Sequence, residues 1–270
     1  MKPTVGVIGA GRMGAPIIGH LVRKGFATQA CDLNAARQEV VTGHGAQWVE
    51  NAAVMASACD VVLVCVGFDA EVRALLASKG DLATLREGSI VAILSTIHPD
   101  TVKALAEQAQ ARGVHVVDST VCRGGEAADQ GTLLSFVGGS AEVVAQITPV
   151  LKAYSADVVH TGGVGTAQVA KAVNNLILWA CLVADHEGLA LAQHYGADIE
   201  ALRKALLISS CANGPLEKWG TQTMAWAEDD MVIVGEMAAK AGIALPQAGL
   251  NREVCRALKP KRYQLEKYGR

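Results

Sequence analysis

A lysine and two asparagines interrupt an apolar run near the middle of this chain: Lys171, Asn174 and Asn175 stand among Val169, Ala172, Val173, Leu176, Ile177, Leu178 and Trp179. At helical spacing Lys171 and Asn175 are one turn apart and share a face. An amine in so apolar a segment loses hydration, which favours its neutral form. Such an amine can exchange a proton with an alcohol or a carbonyl, as general acid–base chemistry requires. The residues also admit a plainer reading, in which Lys171 extends its ammonium to solvent along an apolar stem while the asparagines cap or cross-link helices. Read from the helix alone, the two stand level.

A second kind of chemistry is written at the other end. The segment Val5-Gly6-Val7-Ile8-Gly9-Ala10-Gly11-Arg12-Met13-Gly14 places three glycines at Gly-x-Gly-x-x-Gly spacing between a β-branched run and a helical pattern starting near Met13. Glycines so spaced permit a tight turn, close backbone approach to a pyrophosphate and close packing of helix on strand, and the helix start offers N–H groups to the phosphates. Asp32 ends the next apolar run at the distance expected of a carboxylate that binds a ribose diol. It would repel a 2′-phosphate, so NAD is favoured, with NADP kept as the alternative by Arg37. The plainer reading of Asp32 is as the cap of a helix starting near Ala35.

These groups need a frame. Short β-branched runs at Thr4–Ile8, Thr28–Cys31, Val61–Val66, Ser89–Leu94 and Val114–Val117 alternate with amphipathic stretches such as Pro99–Arg112, which predicts a doubly wound parallel α/β sheet of Rossmann type. Beyond Gly139 the pattern predicts a helix at Ala141–Ala153, a short strand near Val158, and a helix from Thr166 to His194, apolar nearly all round, that should be covered by protein. Helical patterns at Ile199–Leu207, Asp230–Ala241 and Pro246–Leu258 follow. We therefore expect a dinucleotide-binding domain over 1–164 and an all-α domain over 165–270. So small a helical domain is not expected to cover its long helix alone, which predicts a homodimer or homotetramer.

Composition narrows the partners. A net charge of −2 over 270 residues gives no basic field for nucleic acid or an anionic membrane, so an anionic ligand must be recognised locally. Seven scattered cysteines, none in a Cys-x-x-Cys pair, argue against a disulfide framework or zinc site and for a reducing compartment. The separated histidines predict no metal, and His98 is read as loop structure. Met1-Lys2-Pro3 runs into a strand without a signal pattern, and no uncharged apolar run is long enough to cross a membrane, so a cytoplasmic protein is expected.

Four segments together resemble the β-hydroxyacid dehydrogenase family, which includes 3-hydroxyisobutyrate, tartronate semialdehyde and 6-phosphogluconate enzymes. They are Gly9-Ala10-Gly11-Arg12-Met13-Gly14, Ser95-Thr96-Ile97-His98-Pro99, Asp118-Ser119-Thr120-Val121-Cys122-Arg123-Gly124-Gly125, and Gly162-Gly163-Val164-Gly165-Thr166-Ala167-Gln168-Val169-Ala170-Lys171-Ala172-Val173-Asn174-Asn175. The resemblance implies that the first binds the cofactor, Arg12 and Met13 included, and that Thr96 lies by the nicotinamide. Cys122, Arg123 and Gly124 then fall in the substrate segment. Lys171 becomes the proton-transfer residue and Asn175 orients a small 3-hydroxy acid or its semialdehyde.

The chain departs from the family pattern at three places. Cys122 replaces a serine and is a poorer hydrogen-bond donor; Arg123 replaces a glycine. Arg123 is read either as a bidentate clamp for a carboxylate or, equally, as a surface arginine paired with Glu126 or Asp129. A carboxy-terminal Lys-Asp-Leu motif maps onto Asp229-Asp230-Met231, putting an acid where relatives carry a lysine near the cofactor. Trp219, Gln222 or Trp226 would then contribute to a rebuilt pocket, or the position has lost its role. Two further readings compete: imine reduction on the same fold, and a non-catalytic dinucleotide-binding module. Relatives of both kinds tend to lack the lysine that Lys171 supplies.

Overall fold

The computed structural model describes residues 2–77 and 80–269, and the chain divides into two compact units, Met1–Lys171 and Ala172–Arg270. The first is built on β1 (Val5–Ile8), α1 (Gly14–Arg23), β2 (Thr28–Cys31), α2 (Gln38–Gly43), β3 (Gln47–Trp48), α3 (Ala52–Ala58), β4 (Val61–Val64), α4 (Asp69–Leu76), β5 (Ile90–Ile93), α5 (Pro99–Gln110) and β6 (His115–Asp118). These six strands run parallel in the order β3-β2-β1-β4-β5-β6. The reversal of order beside β1 opens a crevice at the carboxyl ends of the strands, the place such sheets use for ligands.

Alternate residues of each strand enter different clusters. Val5, Val7, Val61 and Leu63 pack with Ile17, Ile18 and Leu21 of α1, while Ile8, Val62, Val64, Val91 and Ile93 pack on the other face with Met55, Val72 and Val102. Covering both faces is what makes the strand runs continuously apolar rather than alternating. Each such fully buried aliphatic side chain contributes about 1.5–3 kcal/mol relative to exposure.

The sheet then reverses. β7 (Val121–Cys122), α6 (Gly124–Gln130), β8 (Leu133–Gly138), α7 (Ala141–Leu151) and β9 (Ser155–Gly162) follow, with β8 antiparallel to β6 and β7, and β9 parallel to β8. Neither β7 nor β8 was evident in the sequence pattern, and the short strand expected near Val158 is eight residues long. β7 has only two residues and its ladder partners lie beyond the next helix, so no local periodicity marks it.

α8 (Thr166–His194) starts in the first unit and continues through the second. Among the described residues of the second unit the remaining regular structure is helical: α9 (Ile199–Leu206), α10 (Gly214–Glu217), α11 (Ala227–Ala241), α12 (Pro246–Leu258) and short 3-10 turns. Trp179, Leu182 and Val183 of α8 form its core with Met231, Val234, Cys255 and Leu258. α8 has the length and mean hydropathy, 1.4, of a membrane-crossing helix, yet this side packs on protein. On its other side Val169, Val173, Ile177 and Leu191 are exposed among the described residues.

Candidate active site

The glycine turn is explained partly by the protein and partly not. Gly9 has φ +97°, and a Cβ on it would strike the carbonyl of Cys65 at the end of β4; a Cβ on Gly14 would strike the carbonyl oxygen of Gly9. Both glycines are therefore fixed by internal sterics. A Cβ on Gly11 would meet nothing within 4 Å. The protein has no packing need for glycine there, and the open space beside the backbone is what close approach of a pyrophosphate requires. α1 has no side-chain cap and no acid in its first turn, which leaves its N–H donors to an anion.

Asp32 lies just past β2. Its Oδ2 accepts the Ala10 N–H at 2.7 Å and its Oδ1 the Asn34 N–H at 2.8 Å. The carboxylate is thus anchored to the glycine turn with lone pairs left over for a diol, while the cap of the following 3-10 turn is Asn34. A groove of about 530 Å³ beside the turn is lined by Gly11, Arg12, Arg23, Arg37, His44 and Asp129, among others, so cationic side chains flank the turn. Arg12 itself makes a bidentate pair with Asp129 of α6 at 2.7 Å.

From the turn, contacts run along the strand ends to Lys171. The Val66 N–H donates to Ser95 Oγ at 3.0 Å, and Ser95 Oγ donates to the Val66 carbonyl at 2.8 Å. The amide of Gln168 on α8 donates to the Ser95 carbonyl at 2.8 Å and accepts the Ile97 N–H at 3.0 Å, bracketing Thr96 on both sides. Asp118, wholly buried at the end of β6, accepts the Gly165 N–H at 2.7 Å and the Gln168 N–H at 2.9 Å. It anchors the start of α8. Burial pushes the Asp118 carboxyl up, and these backbone donors pull it back.

One turn after Gln168, Lys171 donates from Nζ to the Val121 carbonyl at 2.8 Å, with Cys122 Sγ at 3.9 Å. The structure thus brings Lys171 and Cys122 together. Arg123, next along, turns to neither partner weighed from sequence. Its Nη2 pairs with Asp157 Oδ2 at 2.6 Å and its Nη1 donates to the Thr132 carbonyl at 3.1 Å, while Asp129 is held by Arg12. Gly124 begins α6. His98 Nδ1 accepts the Asp100 N–H as the cap of α5, in line with a structural role.

In the second unit, Asn175 is buried and its Oδ1 accepts the Asn174 amide at 2.9 Å. Asp229 is exposed in the first turn of α11, beside Glu228 and Asp230. Three acids there suit a helix amino terminus, which gives a local reason for a carboxylate in place of lysine. Asp230 is buried and accepts the Trp179 indole N–H at 2.9 Å. Trp219 packs at a tilt against His186 and edge-on against Tyr263, Gln222 accepts from the Tyr263 hydroxyl, and Trp226 is 53% exposed. Sequence reasoning assigned no role to Asp118, Gln168 or Asp157. The first two lay inside the recognised segments, where an acid and an amide flanking glycines were the available signal.

A Rossmann-type sheet with a glycine turn, a diol-ready carboxylate and an amine held at the strand ends defines a nicotinamide-dependent oxidoreductase. Residues 4–163 match the NAD binding domain of 6-phosphogluconate dehydrogenase, and residues 165–266 match the NAD-binding domain of NADP-dependent 3-hydroxyisobutyrate dehydrogenase. The chain is 32% identical over 213 residues to 3-hydroxyisobutyrate dehydrogenase of Pseudomonas aeruginosa, covering 78% of this chain and 72% of that protein. It is 28% identical over 262 residues to 2-(hydroxymethyl)glutarate dehydrogenase of Eubacterium barkeri, covering 93% and 87%. The fold is that of Mycobacterium tuberculosis 3-hydroxyisobutyrate dehydrogenase solved with L-serine, with TM-score 0.88, 22% identity, and coverage of 97% and 95%. The chain belongs to the β-hydroxyacid dehydrogenase family, NAD(P)-dependent enzymes acting on CH–OH groups.

Proposed function

We propose that this enzyme interconverts a small 3-hydroxy carboxylic acid and its semialdehyde, with Lys171 as the proton-transfer residue. The observation that carries this is the unbroken line of contacts from the glycine turn through Cys65, Val66, Ser95 and Gln168 to Lys171. It fixes one amine relative to the cofactor turn. When bound, the nicotinamide ring takes up or gives the hydride. In oxidation Lys171 accepts the proton of the substrate hydroxyl, and in reduction it donates one to the carbonyl oxygen. Gly9, Gly11 and Gly14, with the intervening Arg12 and Met13, cradle the pyrophosphate; Asp32 holds the adenosine ribose, and Thr96 borders the nicotinamide. Cys122 and Gly124 border the substrate, which Asn175, one helical turn after Lys171, orients.

NAD is the preferred cofactor, since Asp32 opposes a 2′-phosphate; the arginines of the flanking groove support NADP as a slower second. Val169, Val173 and Ile177, exposed at successive turns of α8, support a homodimer or homotetramer in a reducing, cytoplasmic setting where all seven thiols stay free. Light scattering checks the assembly, and a monomer would overturn it. For the chemistry, Lys171→Ala is assayed on 3-hydroxyisobutyrate, L-serine and 2-(hydroxymethyl)glutarate, with NAD binding measured separately. Turnover should fall by about 10²–10⁴-fold with NAD affinity unchanged. Retained turnover would sink the assignment, and firm NAD binding without turnover in the wild type would favour a binding module.

A further inference from the structure

Arg123 sits where a side chain is hard to place. Its φ is +85°, in the left-handed region, and Gly124 follows at +76°. Glycine takes such a turn freely; an arginine there needs to be held. The hold is visible. Asp157 on β9 is in register with Leu134 of β8, which is itself in register with Cys122 of β7. The guanidinium therefore reaches from the end of β7 across β8 to β9, about 10 Å at two strand spacings. One nitrogen meets the Asp157 carboxylate, the other the Thr132 carbonyl at the start of β8.

Both ends of the guanidinium are thus engaged by the protein. A substrate carboxylate would have to displace Asp157 and face its charge. Meanwhile β7 is too short for its ladder alone to hold it firmly, and its Val121 carbonyl is the acceptor that holds the Lys171 amine. We propose that Arg123 is a positioning residue: its clasp on Asp157 fixes the β7 backbone that holds the Lys171 amine, and the arginine does not bind the substrate carboxylate. This rests on the reading of Lys171 as the proton-transfer residue. Because both partners of the clasp are about half exposed, the pair adds little to global stability, and its loss acts on geometry.

The test uses Asp157→Asn and Arg123→Gly in the full chain. Four quantities are read: the rate at which Lys171 is acetylated by trace acetic anhydride at fixed pH, by peptide mass spectrometry; kcat and KM for 3-hydroxyisobutyrate with NAD; and the melting temperature. Asp157→Asn should raise Lys171 labelling and lower kcat, each by about tenfold, with KM and melting temperature nearly unchanged. Arg123→Gly, which loses the clasp as well, should raise labelling and lower kcat in the same direction, again with KM nearly unchanged. A large rise in KM on Arg123→Gly with labelling unchanged would make Arg123 a substrate clamp and overturn the proposal. So would a lowered melting temperature with kcat unchanged on Asp157→Asn, or no change in Lys171 labelling. Labelling needs no turnover, so should Lys171→Ala stay active and the proton-transfer reading fail, the clasp is still decided.

Discussion

The glycine turn and the Lys171 region are built by opposite means. In the turn, Gly9 and Gly14 lie five residues apart: the Gly9 carbonyl excludes a side chain at Gly14, while a φ of +97° and the Cys65 carbonyl exclude one at Gly9. Around Lys171, the fixing contacts span 47 residues from Gly165 to Asp118, 73 from Gln168 to Ser95 and 50 from Lys171 to Val121. A local device carries its geometry in its spacing. A long-range one carries only its residue types, and the fold supplies the rest.

Substitutions should separate the two, beginning with the most severe. Gly14→Ala, whose methyl would strike the Gly9 carbonyl, should lower the melting temperature by many degrees and abolish NAD binding. Gly11→Ala meets no protein atom, so its melting curve should match wild type while NAD affinity falls about tenfold, or about 1.4 kcal/mol, in a fluorescence titration. Equal loss of stability in both would erase the distinction between sterically fixed and ligand-reserved glycines.

In the long-range region the effect should be intermediate. Asp118→Asn keeps the shape but offers one carbonyl oxygen to two backbone donors, leaving one N–H at the start of α8 unpaired at a cost of about 1–3 kcal/mol. Chemical denaturation should register that loss, and kcat should fall more than NAD affinity because Lys171 is one turn downstream. An unchanged kcat would show that the anchor does not position the amine.

The smallest effect belongs to the helical unit and depends on pH. His186 is buried, bonds the Leu182 carbonyl through Nδ1 at 2.7 Å and accepts the Tyr263 N–H at Nε2 at 3.0 Å. Burial pulls its imidazole below the usual histidine value, and the Leu182 bond opposes this. The neutral ring is the folded form, so its contribution is full above about pH 6.5 and is lost as pH falls through the depressed folded value. The protection factor of the Tyr263 amide against hydrogen exchange should fall on acidification; His186→Gln should be weaker at neutral pH but lose that added acid sensitivity.

The sequence reading was strongest where periodicity and spacing are local. Strand β2, helix α8 and helix α12 have the bounds expected from pattern, and Gly9, Gly11, Gly14 and Asp32 converge on one turn. It missed β7 and β8, because a two-residue strand has no period and antiparallel pairing across α6 leaves no composition signal. Arg123 shows the same limit. Glu126 and Asp129 are the first acids that follow it in sequence, whereas the strand register delivers Asp157, 34 positions away.

Gly11 has a consequence for how variants of this enzyme would be sorted. The unfilled space beside it is invisible to any selection for folding, so a library screened for solubility or heat resistance would accept side chains there as readily as glycine. Only a screen that demands turnover would reject them. Along this one turn, abundance and activity should therefore part company at a single position, with Gly9 and Gly14 failing both filters and Gly11 failing one.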